Sequence, residues 1–342
     1  MSKFTRVTDP ARLAEQMDVV VEFSSSDAPA PIPIQSIIQD LHKSRIDVSA
    51  TYDLLAEQAK HPFLATVPVS VPDLPDTLYH SIKAWSKSMI SNMKDSPAHL
   101  RYALDHPRER TDAMMIGSAT HTMVLENSKF EKLYAVKPDV KMNTNVGKAE
   151  YSRWLEEDPS RTTKEHLKLD DYRDIKGMRE SIMAHPECRK YIEMDGEVEL
   201  SSFWMDRETG LFLKGRQDKV VVIDGEIVIV DLKTTNDASP KGFASTVYNY
   251  EYHVQSAMYC DGISETFDTL CTKFIFIAVE KDPPYVCAAY LIEPEAIAQG
   301  RTTQQAYLSR INECVAEDKW PGYSDFLEPI SIPKFALPQE RY

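Results

Sequence analysis

The sequence predicts a mixed α/β domain of the α+β kind, and three observations carry that expectation. From about residue 82 to residue 192, apolar side chains recur at helical intervals. From Glu197 to Thr235 the period falls to two, and three strand-like runs follow one another with turn chemistry between them. Beyond Tyr250 the order is helix, two strands, helix. The expected architecture is a central sheet that starts as an antiparallel meander, becomes mixed, and is flanked by helices.

Bulk properties bound the rest. At 342 residues the chain suits one large domain plus an appendage. Hydrophobic residues make up 42% and charged residues 27%, ordinary values for a globular protein with a real core. The five cysteines, Cys188, Cys260, Cys271, Cys287 and Cys314, are odd in number and show no CxxC spacing. That argues against a disulfide framework, a zinc ribbon or an iron–sulfur cluster, and fits a reducing, cytoplasmic setting. The first residues, MSKFTRVTDPARLAEQ, hold no apolar signal-peptide core, and no apolar run reaches the length of a membrane span. The net charge of −14 disfavours coating of nucleic acid by the whole surface but leaves room for one basic channel beside a metal site.

Taken in order, residues 1–66 read as a separate small segment of unknown role: a short strand-like run, a Ser/Ala/Pro tract, then two short amphipathic helices. TVPVSVPDLPDT holds three prolines in twelve residues and marks 67–78 as a stiff linker. The main domain spans 79–325, with a Pro-rich tail over 326–342. Ile82, Trp85, Met89 and Met93 predict a helix, and Ser96-Pro97 restarts the chain into another. TDAMMIGSATHTMVLE predicts a helix with Met115, Ala119, Met123 and Val124 apolar. Residues 135–170 read as loops around one helix, and DDYRDIKGMRESIMAHPECRKYI as a helix. EVELSSFWMD, LFLKGRQDKVVVI and EIVIVDLKTT are the meander, joined by DRETG and by Asp224-Gly225. YEYHVQSAMYCDGI returns to helix, TKFIFIAVEKDPPYVCAAYLI gives two strands, and EPEAIAQGRTTQQAYLSRINECVAED a long final helix.

Four local features could carry chemistry. Asp231 and Lys233 end the third strand two residues apart, so both side chains point to one face. Asp218 lies thirteen residues earlier, expected at a junction of two strands, and a hairpin at Asp224-Gly225 brings the two carboxylates to one end of the sheet. Two close carboxylates repel, and a divalent cation relieves that conflict. Gln255 and Tyr259 share a helix face, and His121 sits on a helix among small residues. Each alone has an ordinary reading as an ion pair, a turn acid, an incidental pair or a core histidine. Their occurrence in one order is harder to dismiss.

That order resembles the PD-(D/E)xK nuclease superfamily in its RecB-like branch, and within it the nuclease domain of the RecE-type exonucleases. The matching stretches are SKSMISNMKDSPAHLRY, GSATHTMVLE, ELSSFWMDRETGLFLKGRQDKVV, IVDLKTT and YEYHVQSAMYCDG. The resemblance implies a PD-(D/E)xK core, with metal held by His121, Asp218, Asp231 and the Leu232 carbonyl. It implies Lys233 as the catalytic lysine and Gln255 and Tyr259 as the motif that supports the site and contacts DNA. Glu199 matches an acidic position on the first strand. The segment before the first acid is GRQD, without the proline that names the superfamily. The implied activity is Mg²⁺-dependent, with Mn²⁺ able to substitute, and ATP-independent. It removes nucleotides 5′ to 3′ from the ends of linear double-stranded DNA, leaving 3′ single strands for recombination and repair. A homo-oligomeric ring such as a tetramer, a single-strand annealing partner and a phage or prophage setting are carried by the resemblance alone. In this scheme Lys233 stabilises charge, because an ordinary lysine is protonated at neutral pH. Gln255 orients water or phosphate, and Tyr259 holds Lys233 or a phosphate. Lys219 and Lys241 are candidate phosphate contacts whose ordinary reading is a solvated surface. The rival readings are another RecB-like repair nuclease or endonuclease, and a non-catalytic DNA-binding protein on the same fold.

Overall fold

A computed structural model describes residues 68–107 and 109–332; the segment expected over 1–66 and the end of the tail lie outside the described residues. The stretch expected as a linker is instead the start of the domain. Strand β1 (Val69–Val71) pairs antiparallel with a later strand, and helix α1 (Asp76–Ser81) follows. Pro68, Pro72 and Pro75 flank the strand rather than interrupt it, which is where an edge strand tolerates proline. Val71 is fully buried, so the alternation of valines, and not the prolines, decides the structure.

Helix α2 (Lys87–Ile90) runs into a single 3-10 turn, Ser91–Lys94, and α3 (Pro97–Asp105) starts where Ser96-Pro97 predicted. The Ser96 hydroxyl accepts from the His99 N–H. The helix expected from Ile82 begins only at Lys87, because Trp85 joins the sheet: its N–H donates to Phe212 O at 2.8 Å and its carbonyl accepts from Lys214 N at 2.9 Å. Next come α4 (Asp112–Leu125), capped by Thr111, α5 (Asn127–Leu133), β2 (Tyr134–Val136), α6 (Asn145–Glu157) and β3 (Glu165–Leu167). Strands β2 and β3 form a small parallel pair of their own. The helix expected over 170–192 is two, α7 (Leu169–Ala184) and α8 (Pro186–Glu193), because Pro186 opens a new one.

The meander is β4 (Gly196–Met205), β5 (Phe212–Ile223) and β6 (Glu226–Thr235). Ile223 pairs with Glu226 across Asp224-Gly225, both at positive φ (52° and 81°), a two-residue turn whose twist suits a hairpin. Helix α9 (Pro240–Asn249) was not read from the sequence, although Ser239-Pro240 is a start signal and the Ser239 hydroxyl caps Gly242 N–H. Helix α10 (Tyr252–Phe267), strands β7 (Lys273–Glu280) and β8 (Cys287–Leu291), and helix α11 (Pro294–Glu317) complete the described chain.

The sheet order is β1-β4-β5-β6-β7-β8, antiparallel except for the parallel pair β6–β7 that α9 and α10 connect. Both faces are covered. Val228, Val230 and Leu232 pack against residues of α4, α5, α7 and α8, while Ile227 and Ile229 pack against α9 and α10. A third apolar cluster joins Trp85, Ile90 and Leu100 to Trp204, Leu213, Met258 and Leu308. One feature of the ladder places the site. Strands β5 and β6 pair only from Lys219–Val230 to Ile223–Glu226, yet each continues well beyond Lys219 and Val230. There β5 stays with β4 and β6 with β7, so the sheet splits.

Candidate active site

At the split, polar groups replace the missing ladder. Asp218 lies inside β5, not at a strand junction, one residue past the last paired position. Its carboxylate accepts from the Leu232 N–H at 2.8 Å, a bond that spans the gap between the strands. Asp231 follows Val230 on β6 and is fully buried. It accepts from Gln255 Nε2 of α10 at 2.8 Å and forms an ion pair with Lys233. The i, i+2 spacing of Asp231 and Lys233 thus puts acid and ammonium on the face that α10 covers. From the opposite face, α4 brings His121, whose Nδ1 lies 3.2 Å from Asp218 Oδ2. The Leu232 backbone lies within hydrogen-bonding reach of the same ring.

Glu199 joins this group through an unusual backbone. On β4, the residues on either side pair regularly, Val198 with Lys219 and Leu200 with Gln217, but Glu199 itself has φ 53°. A non-glycine residue held left-handed within a strand costs on the order of 1 kcal/mol or more. The result is that ligand atoms of His121, Glu199 and Asp218 lie within 4.8 Å of one another.

The electrostatics match a cation site. Burial, and then the Asp218 charge, push the Glu199 carboxyl up to about 8. Asp231 is pushed up to about 6 for the same two reasons, with Lys233 pulling the other way. Asp218 is raised by burial, opposed by Lys233 and the Leu232 N–H. Burial and the Lys233 charge push His121 down to about 4, so its imidazole is neutral at pH 7 and keeps a lone pair. Burial disfavours the Lys233 ammonium, but Asp231 and Asp218 outweigh it and hold its pKa above the usual lysine value. One imidazole and two carboxylates that repel when ionised fit a divalent ion such as Mn²⁺ or Mg²⁺. His121, Glu199 and Asp218 are the residues that would hold it, with Asp231 adjacent.

The structure therefore gathers His121, Asp218, Glu199, Leu232, Asp231, Lys233 and Gln255. Tyr259 is placed differently from its expected role. Its hydroxyl meets the Arg216 backbone, and its ring packs on β5 at Gly215, where a Cβ would stand 3.0 Å from it. The ring that faces Lys233 belongs to Tyr252, 4.9 Å from the ammonium. Tyr252 lies three residues before Gln255, on the same helix face, which is the signal that could have found it. Lys219 is no phosphate contact: it is buried and donates to Ile192 O at 2.6 Å. Lys241 is exposed at the start of α9. Among the described residues, no helix is long and apolar enough to cross a membrane. All five cysteines are buried and free.

Comparison with known proteins bears on the fold. The family described as "PDDEXK-like domain of unknown function (DUF3799)" matches residues 86–331. No curated protein matches the chain. Among solved structures, one similar protein is a candidate exonuclease from Eubacterium rectale, 14% identical, with 76% of this chain and 97% of that one covered and a TM-score of 0.48. Another is the protein SSO0001, 16% identical, covering 45% of this chain and 69% of that one, TM-score 0.25. A third is protein VC1899 from Vibrio cholerae, 11% identical, covering 70% and 60%, TM-score 0.20.

Proposed function

The chain belongs to the PDDEXK-like family DUF3799, and from that membership together with the RecE-type resemblance of its sequence we propose that it is a divalent-metal-dependent exodeoxyribonuclease acting on linear double-stranded DNA. The observation that carries the reading is the meeting of His121, Glu199 and Asp218 with the Asp231–Lys233 pair where β5 and β6 part. The strand-end acid and lysine that the PD-(D/E)xK resemblance implies, Asp231 and Lys233, are paired with each other.

A divalent ion bound there supplies a Lewis acid for a phosphate oxygen and makes water more acidic. The chain's own residues do the rest. His121 offers a neutral nitrogen at neutral pH. Asp218 is fixed by the Leu232 N–H, and Gln255 orients Asp231 by its amide. Lys233 stays protonated and cannot serve as a base, so it stabilises the negative charge that develops on phosphorus-bound oxygens. The Tyr252 ring limits the positions open to that ammonium.

In its finer form the proposal follows the RecE-type resemblance: 5′ to 3′ removal of nucleotides with Mg²⁺, leaving 3′ single strands. A homo-oligomeric assembly and a single-strand annealing partner belong to the same proposal. The test is digestion of linear duplex labelled at either end, beside closed circular DNA, with Mg²⁺. Loss of the linear substrate alone, with the 5′ label released first, is the expected result. Cutting of the circle would make the enzyme an endonuclease, and release of the 3′ label first would reverse the polarity.

A further inference from the structure

Beside the site, α9 ends and α10 begins in a sharp corner at Asn249, Tyr250 and Glu251, the last at φ 55°. Two lysines from another part of the chain meet this corner. Lys87 of α2 donates to Tyr250 O at 2.6 Å, and Lys94 donates to Asn249 O at 3.1 Å. Neither lies within salt-bridge distance of a carboxylate among the described residues; burial pushes the Lys87 ammonium down to about 8, with the nearby Glu251 charge opposing that shift. Lys87 and the catalytic-site Lys233 flank one ring, Tyr252, at 5.9 Å and 4.9 Å. Against Tyr252 stacks Tyr250, with centroids 5.8 Å apart and an angle of 22°. Tyr250 is 65% exposed and Tyr248, two residues earlier, 72% exposed.

Capping of the α9 carbonyls accounts for the two lysines in part. An ammonium has three N–H groups, however, and each of these bonds takes one. Tyr248 stacks on His253 with centroids 6.2 Å apart, as Tyr250 does on Tyr252, and capping leaves the outward faces of both rings unexplained. Cations beside open aromatic faces, leading to Lys233, are what an unpaired nucleic-acid strand requires: phosphates meet ammonium groups and bases stack on rings. A duplex fits less well, because its base faces are already covered by their neighbours.

We propose that the α9–α10 corner binds a single-stranded segment of the DNA substrate, with a base on Tyr250 and phosphates at Lys87 and Lys94. This rests on the nuclease reading, and names where one strand lies as it meets the site.

The test is equilibrium binding of the full chain, in EDTA, to fluorescent blunt duplex and to duplex with a short single-stranded overhang at either end. The wild type is expected to prefer an overhang. Tyr250→Leu is expected to weaken overhang binding about 5- to 150-fold and to leave blunt-end binding nearly unchanged. Tyr250→Phe restores the overhang preference, and Lys87→Gln lowers the salt slope of overhang binding by about 0.7. The Tyr250 ring is two-thirds exposed, so its variants fold. Wild-type affinity for the overhang in Tyr250→Leu, or equal losses on both substrates, would overturn the corner as a strand site while leaving nuclease activity standing. A wild type that neither binds nor cuts any DNA would remove both readings together.

Discussion

Lys233 and Asp231 form a buried ion pair whose protonation links stability to pH. The folded pKa of Asp231 is about 6, against 3.8 for an ordinary aspartate. A carboxyl raised on folding contributes stability below its unfolded pKa, and that contribution is lost as pH rises through the folded value. Lys233 holds the value down, so Lys233→Met raises it further. Between about pH 6 and 8 the variant should lose stability relative to wild type by up to about 1.4 kcal/mol per pH unit. Thermal melts across that range check it, and a pH-independent difference would contradict it. Glu199 gives a second prediction. With its carboxyl held up to about 8, a proton competes with the metal. Mn²⁺ affinity should climb about tenfold per pH unit between about 6.5 and 8 if one proton is displaced. Glu199→Gln should bind more weakly and flatten that slope, as calorimetric titration would show. Asp218, Asp231 and Lys233 were legible because strand alternation fixes which side chains share a face. The position of Glu199 was not derivable, because its left-handed backbone breaks that alternation.

At the scale of elements, the meander was legible almost to the residue. Period-two patterning and Asp224-Gly225 determine strand faces and register together. Gly225, at φ 81°, is needed for the turn and touches nothing in the site. Gly225→Ala should cost about 1 kcal/mol in urea denaturation and leave DNA cleavage unchanged. Errors fell where tertiary pairing overrides local pattern. Trp85 fits a helix by spacing but bonds to the sheet backbone, and the valines of β1 looked like linker because prolines surround them. The split between β5 and β6, which creates the site, leaves no sequence signal, because both strands keep other partners throughout.

At the scale of the molecule, the nuclease unit starts earlier than its sequence boundary at Tyr79. Strand β1 covers the edge of β4, and Lys214 ties the stretch after it by donating to Tyr79 O at 2.9 Å and Ile82 O at 2.7 Å. Arg216 lies 4.2 Å from the Tyr79 ring and pairs with Asp76. A chain beginning at residue 67 should therefore retain metal-dependent cleavage. One beginning at Tyr79 should lose stability and activity, because it exposes the β4 edge and strips Phe203 of its packing against Val71 and Leu74. Equal activity of the two truncations would show that β1 is dispensable. The central claim, that the split of the sheet holds a metal-dependent phosphodiesterase site, is tested most directly by one assay. Degradation of end-labelled linear duplex is followed for wild type and Lys233→Ala, with Mg²⁺ and with EDTA. Wild type is expected to cleave with Mg²⁺ alone, and Lys233→Ala to lose at least about 10²-fold. Cleavage that survives EDTA, or a Lys233→Ala variant as active as wild type, would contradict that claim.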